Sequence, residues 1–114
     1  MKVKIAQDVE ARKVEVDGAE GVTMRMLIGP DDGAVNFNMR MFELAPGGHT
    51  PRHSHRWEHE VYVLAGEGVV RTSEGDRPIS PGCCVLVQPD EEHQFANTGT
   101  GPLRFLCLVP RDSG

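Results

Sequence analysis

Turn-forming residues interrupt this chain so often that long helices are excluded. Thirteen glycines and eight prolines are spread over the 114 residues, a share of about 18% where globular proteins average about 12%. No stretch of ten or more residues places its apolar side chains at the spacing of one helical face. Short strands joined by turns are the remaining choice, so the sequence predicts an all-β fold.

Eight segments have the apolar content or the alternation of short strands. The clearest alternation runs over 35–41, where four apolar residues are separated by polar ones. A hairpin is expected from 60–64 and 68–72, because a short turn with a central glycine joins them. The remaining strands are expected at 9–16, 22–28, 83–87, 93–96 and 103–109, with breaks at 45–48, 74–76 and 81–82.

So many short strands have to protect their edges and bury one face. A barrel or a two-sheet jelly roll does both. An immunoglobulin-like sandwich is the alternative that strand counting alone permits. The length is that of one domain, which is expected to span residues 1–114.

The charge balance and the cysteines narrow the class of protein. Twelve Lys and Arg residues against seventeen Asp and Glu residues give a net charge of −5, which argues against a nucleic-acid groove or a polybasic membrane patch. No apolar run approaches the roughly 18–20 residues of a spanning helix, and the first eight residues lack the apolar core of a secretory signal.

Two of the three cysteines, Cys83 and Cys84, are adjacent, so a disulfide framework is not expected. A cytoplasmic location is the expectation.

Histidines are concentrated in one segment. His49, His53, His55 and His59 fall within eleven residues, and His93 lies at the start of a later expected strand. On an extended strand the His-x-His pair places both rings on one face, roughly 6.5–7 Å apart at the backbone, so both rings can reach one metal ion through bonds of ~2.0–2.2 Å. A solvated histidine-rich loop with incidental metal affinity is the alternative. His49 directly follows two glycines and is expected at the rim of the site.

The segment over 47–66 resembles the first motif of the cupin superfamily. Gly47 is followed after five residues by His53 and His55, after three more by His59, and after six more by Gly66. The resemblance implies a double-stranded β-helix, which is a jelly-roll barrel, with a metal site inside it.

The segment over 82–97 is similar to the second cupin motif. Gly82, Pro89, His93 and Asn97 follow its order, and the spacing from His93 to Asn97 matches. The proline is displaced by one position, and the glycine that usually follows it is missing. The two motifs together imply that His93 completes the metal site of the first motif.

The resemblance implies four ligands, and two residues are candidates for one of them. Cupins usually have a glutamate where His59 stands, and Glu60 occupies the alternative position one residue later. The spacing to the next motif glycine favours His59, so the predicted ligands are His53, His55, His59 and His93, with Glu60 in place of His59 as the alternative. Some small bacterial cupins with four histidines, including manganese-containing ones, look similar. One divalent ion is therefore expected, manganese first, with iron, nickel, copper or zinc as alternatives.

The ligand set also suggests a reaction. Four neutral ligands would leave a divalent ion with its full charge and, in an octahedral site, with two open positions. These positions suit a chelating substrate or a substrate together with dioxygen. The prediction is a metal-dependent oxidoreductase of the dioxygenase type that acts on a small organic substrate. A metal-dependent isomerase or epimerase and a non-catalytic, ligand-sensing cupin are the alternatives.

Further residues are expected to shape the site and the assembly. Trp57 is expected either at the mouth of the site or in a subunit contact, and Cys107 is expected on the same strand face as Phe105. The resemblance implies a homodimer in which the strand over 9–16 is exchanged between subunits. Alternation predicts an apolar wall formed by Phe37, Met39, Met41, Phe95, Leu103 and Phe105.

Overall fold

Nine antiparallel strands make up nearly all the regular structure of the protein. The computed structural model describes residues 1–113, so Gly114, the last residue of the predicted domain, lies outside the described residues. Within that range the helical segments are two 3-10 turns, Ala6–Asp8 and Pro30–Asp32, and no helix is long and apolar enough to cross a membrane. The strands are β1 (Arg12–Lys13), β2 (Glu20–Ile28), β3 (Phe37–His49), β4 (His59–Ala65), β5 (Gly68–Thr72), β6 (Gly75–Ile79), β7 (Cys84–Val87), β8 (His93–Asn97) and β9 (Leu103–Pro110).

The strands form one sheet that curls on itself, with β3 as its central member. The hydrogen-bonded order is β6-β5-β8-β3-β9-β4-β7, and β2 pairs with β3 and with β1. β3 spans 13 residues and pairs with β2, with β9 and, through His49, with Ala96 of β8. This long strand therefore joins the two halves of the curled sheet, β6-β5-β8 on one side and β9-β4-β7 on the other. The predicted all-β jelly-roll barrel is confirmed.

Alternation along β9 supplies the middle of the core. Leu103, Phe105, Cys107 and Val109 are buried, and the residues between them are partly or fully exposed. β9 pairs with β3 on one side and with β4 on the other, so its inner face lies at the centre of a wall. Burial of each large apolar side chain contributes roughly 1.5–3 kcal/mol, and this face therefore stabilises the whole barrel.

The predictions around the first and third strands were partly wrong. The strand expected over 9–16 is reduced to Arg12–Lys13, because only these two residues pair with β2. The break expected at 45–48 does not occur, since β3 continues to His49 and Gly47 bends the chain with a φ of 79°. β1 pairs within its own chain here, and its exchange in a homodimer stays a prediction.

One strand has no counterpart among the predicted segments. β6 occupies residues where the sequence indicates a turn at 74–76. It pairs only with β5, at the edge of the sheet. Four of its five residues are exposed, so it carries no alternation of apolar and polar side chains from which it could be recognised.

Two motif residues shape turns of the barrel. Gly66 has a φ of 89°, and a Cβ atom there would lie 2.3 Å from a backbone carbonyl oxygen, so only glycine fits. The buried side chain of Asn97 donates hydrogen bonds to the carbonyls of Leu44 (2.9 Å) and Gly101 (2.8 Å), and its Oδ1 accepts one from the N–H of Gly99 (2.9 Å). The motif asparagine therefore fastens the loop after β8 to β3.

We expect Asn97→Ala to lower the free energy of unfolding by about 2–3 kcal/mol, because buried backbone groups lose their partners. Urea unfolding followed by circular dichroism measures this loss. Asn36→Ala, at an exposed position, is the matched control and should stay within about 0.5 kcal/mol of the unchanged protein. Equal effects of the two substitutions would contradict the structural role of Asn97.

Candidate metal centre

The histidines come from two segments of the chain that are paired by backbone hydrogen bonds. His53 lies between β3 and β4, and His93 begins β8. The His53 N–H donates to the His93 carbonyl (3.1 Å), and the His93 N–H donates to the His53 carbonyl (2.9 Å). Residues 40 positions apart in sequence are thus fixed as direct neighbours.

Four of the five histidine rings form one cluster. The centroid of the His55 ring lies 5.1 Å from that of His53, 4.3 Å from that of His59 and 5.0 Å from that of His93. The candidate ligand atoms of His53, His55 and His93 all lie within 4.8 Å of one another. The structure therefore brings all four predicted ligands together, with three in a tight group and His59 beside them.

Backbone carbonyls hold two of the rings in a ligating orientation. The Nδ1 of His55 lies 2.8 Å from the carbonyl oxygen of Trp57, and the Nδ1 of His93 lies 2.8 Å from that of Glu91. A carbonyl can only accept, so each Nδ1 carries the proton and each Nε2 presents a lone pair. The Nε2 of His55 is buried and has no hydrogen-bond partner. An unpartnered, buried nitrogen beside other imidazoles fits a metal ion.

Burial favours the neutral form of three of the clustered histidines, His53, His59 and His93. It is the main cause that lowers the pKa of His59 to about 3, and unfavourable electrostatic interactions with neighbouring groups, including Arg40, add to the effect. Burial also lowers the pKa of His53 and of His93, although the hydrogen bond to Glu91 opposes it at His93. Neutral imidazole is the form that binds metal, so the site is ready for an ion at neutral pH.

The alternative ligand lies on the wrong side of its strand. In β4 the inward residues His59, Val61 and Val63 alternate with exposed residues, and Glu60 is one of the exposed ones. His49 lies outside the cluster, where its Nδ1 is 3.3 Å from the side-chain nitrogen of Gln94. Glu60, the alternative ligand, and His49, which was expected at the rim, therefore both lie away from the clustered rings.

A cavity of about 180 Å³ adjoins the cluster. Its apolar wall includes the stacked rings of Phe42, Phe95 and Phe105, whose neighbouring centroids are 5.6 Å and 4.8 Å apart. Val14 and Val16, from the segment around β1, cover another side. Carboxylate side chains are absent from the described residues that line it.

Two of the six residues predicted for the apolar wall line the cavity. Phe95 and Phe105 line the cavity, and Leu103 is fully buried in the core. On β3 the inner face is the opposite one, because the register pairs Phe42 with Phe105. Phe37 is therefore exposed and Met39 and Met41 lie on the outer face, while Arg40 and Phe42 reach the cavity.

Three residues near the cluster extend the site. Trp57 stacks on the His55 ring, with centroids 4.5 Å apart and planes 6° apart. The sulfur of Cys107 lies 3.4 Å from the Nδ1 of His59 and accepts a hydrogen bond from Arg40 (3.2 Å). Sequence reasoning missed Arg40, because only the pairing of β3 with β9 shows that it points inward.

The comparison with known families decides the assignment. The family model described as the cupin domain matches residues 40–109, which include both motif histidine groups. The chain belongs to the cupin family. It combines the family fold with a histidine cluster that is compatible with a metal ion.

The alignments with known relatives cover different shares of this chain and of each relative. It is 32% identical to an oxalate-binding protein of Thermotoga maritima, over 96% of this chain and 93% of the relative. The structure of the polyketide cyclase RemF from Streptomyces resistomycificus is 36% identical and superposes with a TM-score of 0.93, covering 98% of this chain and 80% of that one. A glucose-6-phosphate isomerase of Pyrococcus abyssi is 41% identical over 54% of this chain, which is only 36% of the isomerase.

We expect paramagnetic divalent ions to quench the fluorescence of Trp57. It is the single tryptophan of the chain and stacks on His55, so an ion bound at the cluster lies next to the indole. Titration with Mn²⁺, Ni²⁺ or Cu²⁺ measures the effect. His49→Ala is the control that should titrate normally, whereas the His53→Ala/His93→Ala double variant should lose the transition. Equal quenching in both variants would refute the assignment.

We expect the metal-free cupin to lose stability as the pH falls below about 6.5. His59 stays neutral in the folded chain down to pH about 3 but binds a proton near its ordinary pKa of 6.5 when unfolded. The unfolded state therefore holds more protons in this window, and stability rises with pH across it. Urea midpoints between pH 7 and 5 measure the slope. His59→Gln should reduce the slope, with His53 and His93 accounting for the remainder, and His49→Ala should leave it unchanged. An unchanged slope in His59→Gln would contradict the neutral, buried state of His59.

Proposed function

We propose that this cupin is a metal-dependent enzyme that rearranges a small, planar, enolisable carbonyl compound without net oxidation. The proposed ligands are His53, His55, His59 and His93. The observation that carries the proposal is the buried, unpartnered Nε2 of His55, which faces a cluster of imidazoles at the edge of an apolar cavity. Manganese is the proposed ion on the strength of the family resemblance.

The cavity supplies what such a reaction needs from the protein. A divalent ion held by the four rings would supply Lewis acidity toward a carbonyl or enolate oxygen. Phe42, Phe95 and Phe105 form an apolar wall of stacked rings that can contact the apolar part of a substrate. The carbonyls of Trp57 and Glu91 keep two ligand rings fixed, so little reorganisation is needed when charge develops on the substrate.

The relatives support a non-oxidative reaction. The superposed structure is that of a polyketide cyclase, and the archaeal relative is an isomerase. Cyclisation and isomerisation both rearrange bonds without net oxidation. The apolar aromatic wall favours the cyclase type of substrate over a polar sugar phosphate, because the described lining offers few polar groups for hydroxyls.

Oxidation by dioxygen is the second candidate. The absence of a carboxylate from the described cavity lining favours it, since four neutral ligands leave the full charge of a redox-active ion available to a substrate and to dioxygen. An apolar cavity also shields reactive species from water. The two candidates differ in whether dioxygen is consumed.

We expect the metal-loaded cupin to exchange the benzylic protons of phenylacetone with deuterated solvent faster than buffer containing the same metal concentration. Proton NMR under anaerobic conditions measures the exchange, with Mn²⁺, Zn²⁺, Ni²⁺ and Fe²⁺ tested in turn. Chelation of the metal, or the His53→Ala/His93→Ala substitutions, should return the rate to that of buffer. His49→Ala should retain it.

The same samples separate the candidates. Oxygen uptake with Mn²⁺ or Fe²⁺ in aerobic buffer, together with no proton exchange under anaerobic conditions, would contradict the non-oxidative reaction and favour a dioxygenase. Metal binding with neither exchange nor uptake, across aromatic ketones, diketones and catechols, would overturn both and favour a ligand-sensing cupin.

A further inference from the structure

One partly buried cation at the cavity, Arg40, has no acidic partner among the described residues. Arg40 lies on the inner face of β3, in register with Met26 on one side and Cys107 on the other. It lines the same cavity as His53, His59 and His93. Among residues 1–113, the ion pairs within 4.0 Å involve other arginines and lysines, and Arg40 makes none.

The contacts of Arg40 orient its guanidinium without neutralising it. One nitrogen donates to the sulfur of Cys107 at 3.2 Å, and the carbon of the guanidinium lies 4.9 Å from the centroid of the Phe42 ring. The Nε is buried and has no hydrogen-bond partner. A thiol and an aromatic ring are weak partners for a full positive charge.

Leaving a cation in this state costs folding free energy. Burial of a charge is unfavourable unless an opposite charge and hydrogen bonds compensate. The chain places a guanidinium, which offers a planar fork of donors, in an apolar cavity and provides no carboxylate there. The described cavity lining therefore supplies no anion to Arg40, and a bound anionic ligand would compensate its charge.

We propose that Arg40 is the recognition residue for the carboxylate of a small planar acid bound in this cavity. The matching fork geometry of guanidinium and carboxylate supplies the specificity, and Phe42, Phe95 and Phe105 contact the flat remainder of the ligand. His59 and Arg40 both touch the sulfur of Cys107, so the bound acid lies beside the histidine cluster. The inference deepens the proposed function by giving the class of its substrate, yet anion binding itself needs no metal.

Titration of the metal-free cupin with benzoate, followed by ¹H–¹⁵N NMR, tests the proposal. Benzoate should shift the amide signals of Thr50, Phe95 and Cys107, which line the cavity. Benzamide has the same shape without the charge and should bind about tenfold more weakly or less, as expected for loss of a charge-assisted hydrogen bond.

Substitutions separate recognition from structure. Arg40→Gln should weaken benzoate binding about tenfold or more, Arg40→Lys should restore part of it, and Arg111→Gln, at an exposed arginine, should leave it unchanged. Arg40→Met should also raise the melting temperature of the metal-free cupin, because it removes an uncompensated charge. A residue kept for structure would show the opposite, a lower melting temperature.

Three outcomes would overturn the proposal: equal binding of benzoate and benzamide, unchanged benzoate binding in Arg40→Gln, or benzoate binding that appears only after the metal is added. None of them bears on the exchange of phenylacetone protons, which depends on the metal. Failure of the metal-dependent exchange with intact, Arg40-dependent benzoate binding would remove the proposed reaction and leave the anion site standing.

Discussion

The site depends on continued backbone pairing beyond the end of β3. His49 is in register with Ala96, the Thr50 N–H donates to the Phe95 carbonyl (2.9 Å), and His53 exchanges two hydrogen bonds with His93. These hydrogen bonds keep residues 49–53 paired with β8, as if β3 extended to His53. The rings converge because their backbones are already aligned, and the entropy of bringing distant residues together is offset by barrel formation.

Desolvation then sets the character of the site. Burial lowers the pKa of three of the clustered histidines, and the same burial leaves the Nε2 of His55 and the Nε of Arg40 without partners. Unpartnered polar groups lower the free energy of unfolding of the ligand-free protein. Apolar burial elsewhere in the barrel has to offset this loss. The fully buried inner face of β9 next to the cavity supplies part of it.

The parts of the fold that follow from local patterns could be predicted from the sequence. The spacing of His53, His55, His59 and His93 identifies the cluster, and the apolar runs of β4, β7 and β9 identify these strands. The face of β3 could not be found in this way, because Met39 and Met41 mimic an inward row while a long-range register turns Arg40 and Phe42 inward. β6 is polar and lies at an edge, so no local pattern marks it.

The register of β3 also explains why a guanidinium lies beside the histidine cluster. The pairing of Arg40 with Cys107 sets the guanidinium against the sulfur that His59 touches from the other side. No described residue of the cavity lining is acidic, so an ion held by the histidines would add positive charge to a cavity that already contains a guanidinium. A ligand that presents an oxygen to each of these charges would reduce their repulsion. The proposed carboxylate ligand would meet part of this requirement, and the phenylalanine side chains would contact its apolar part.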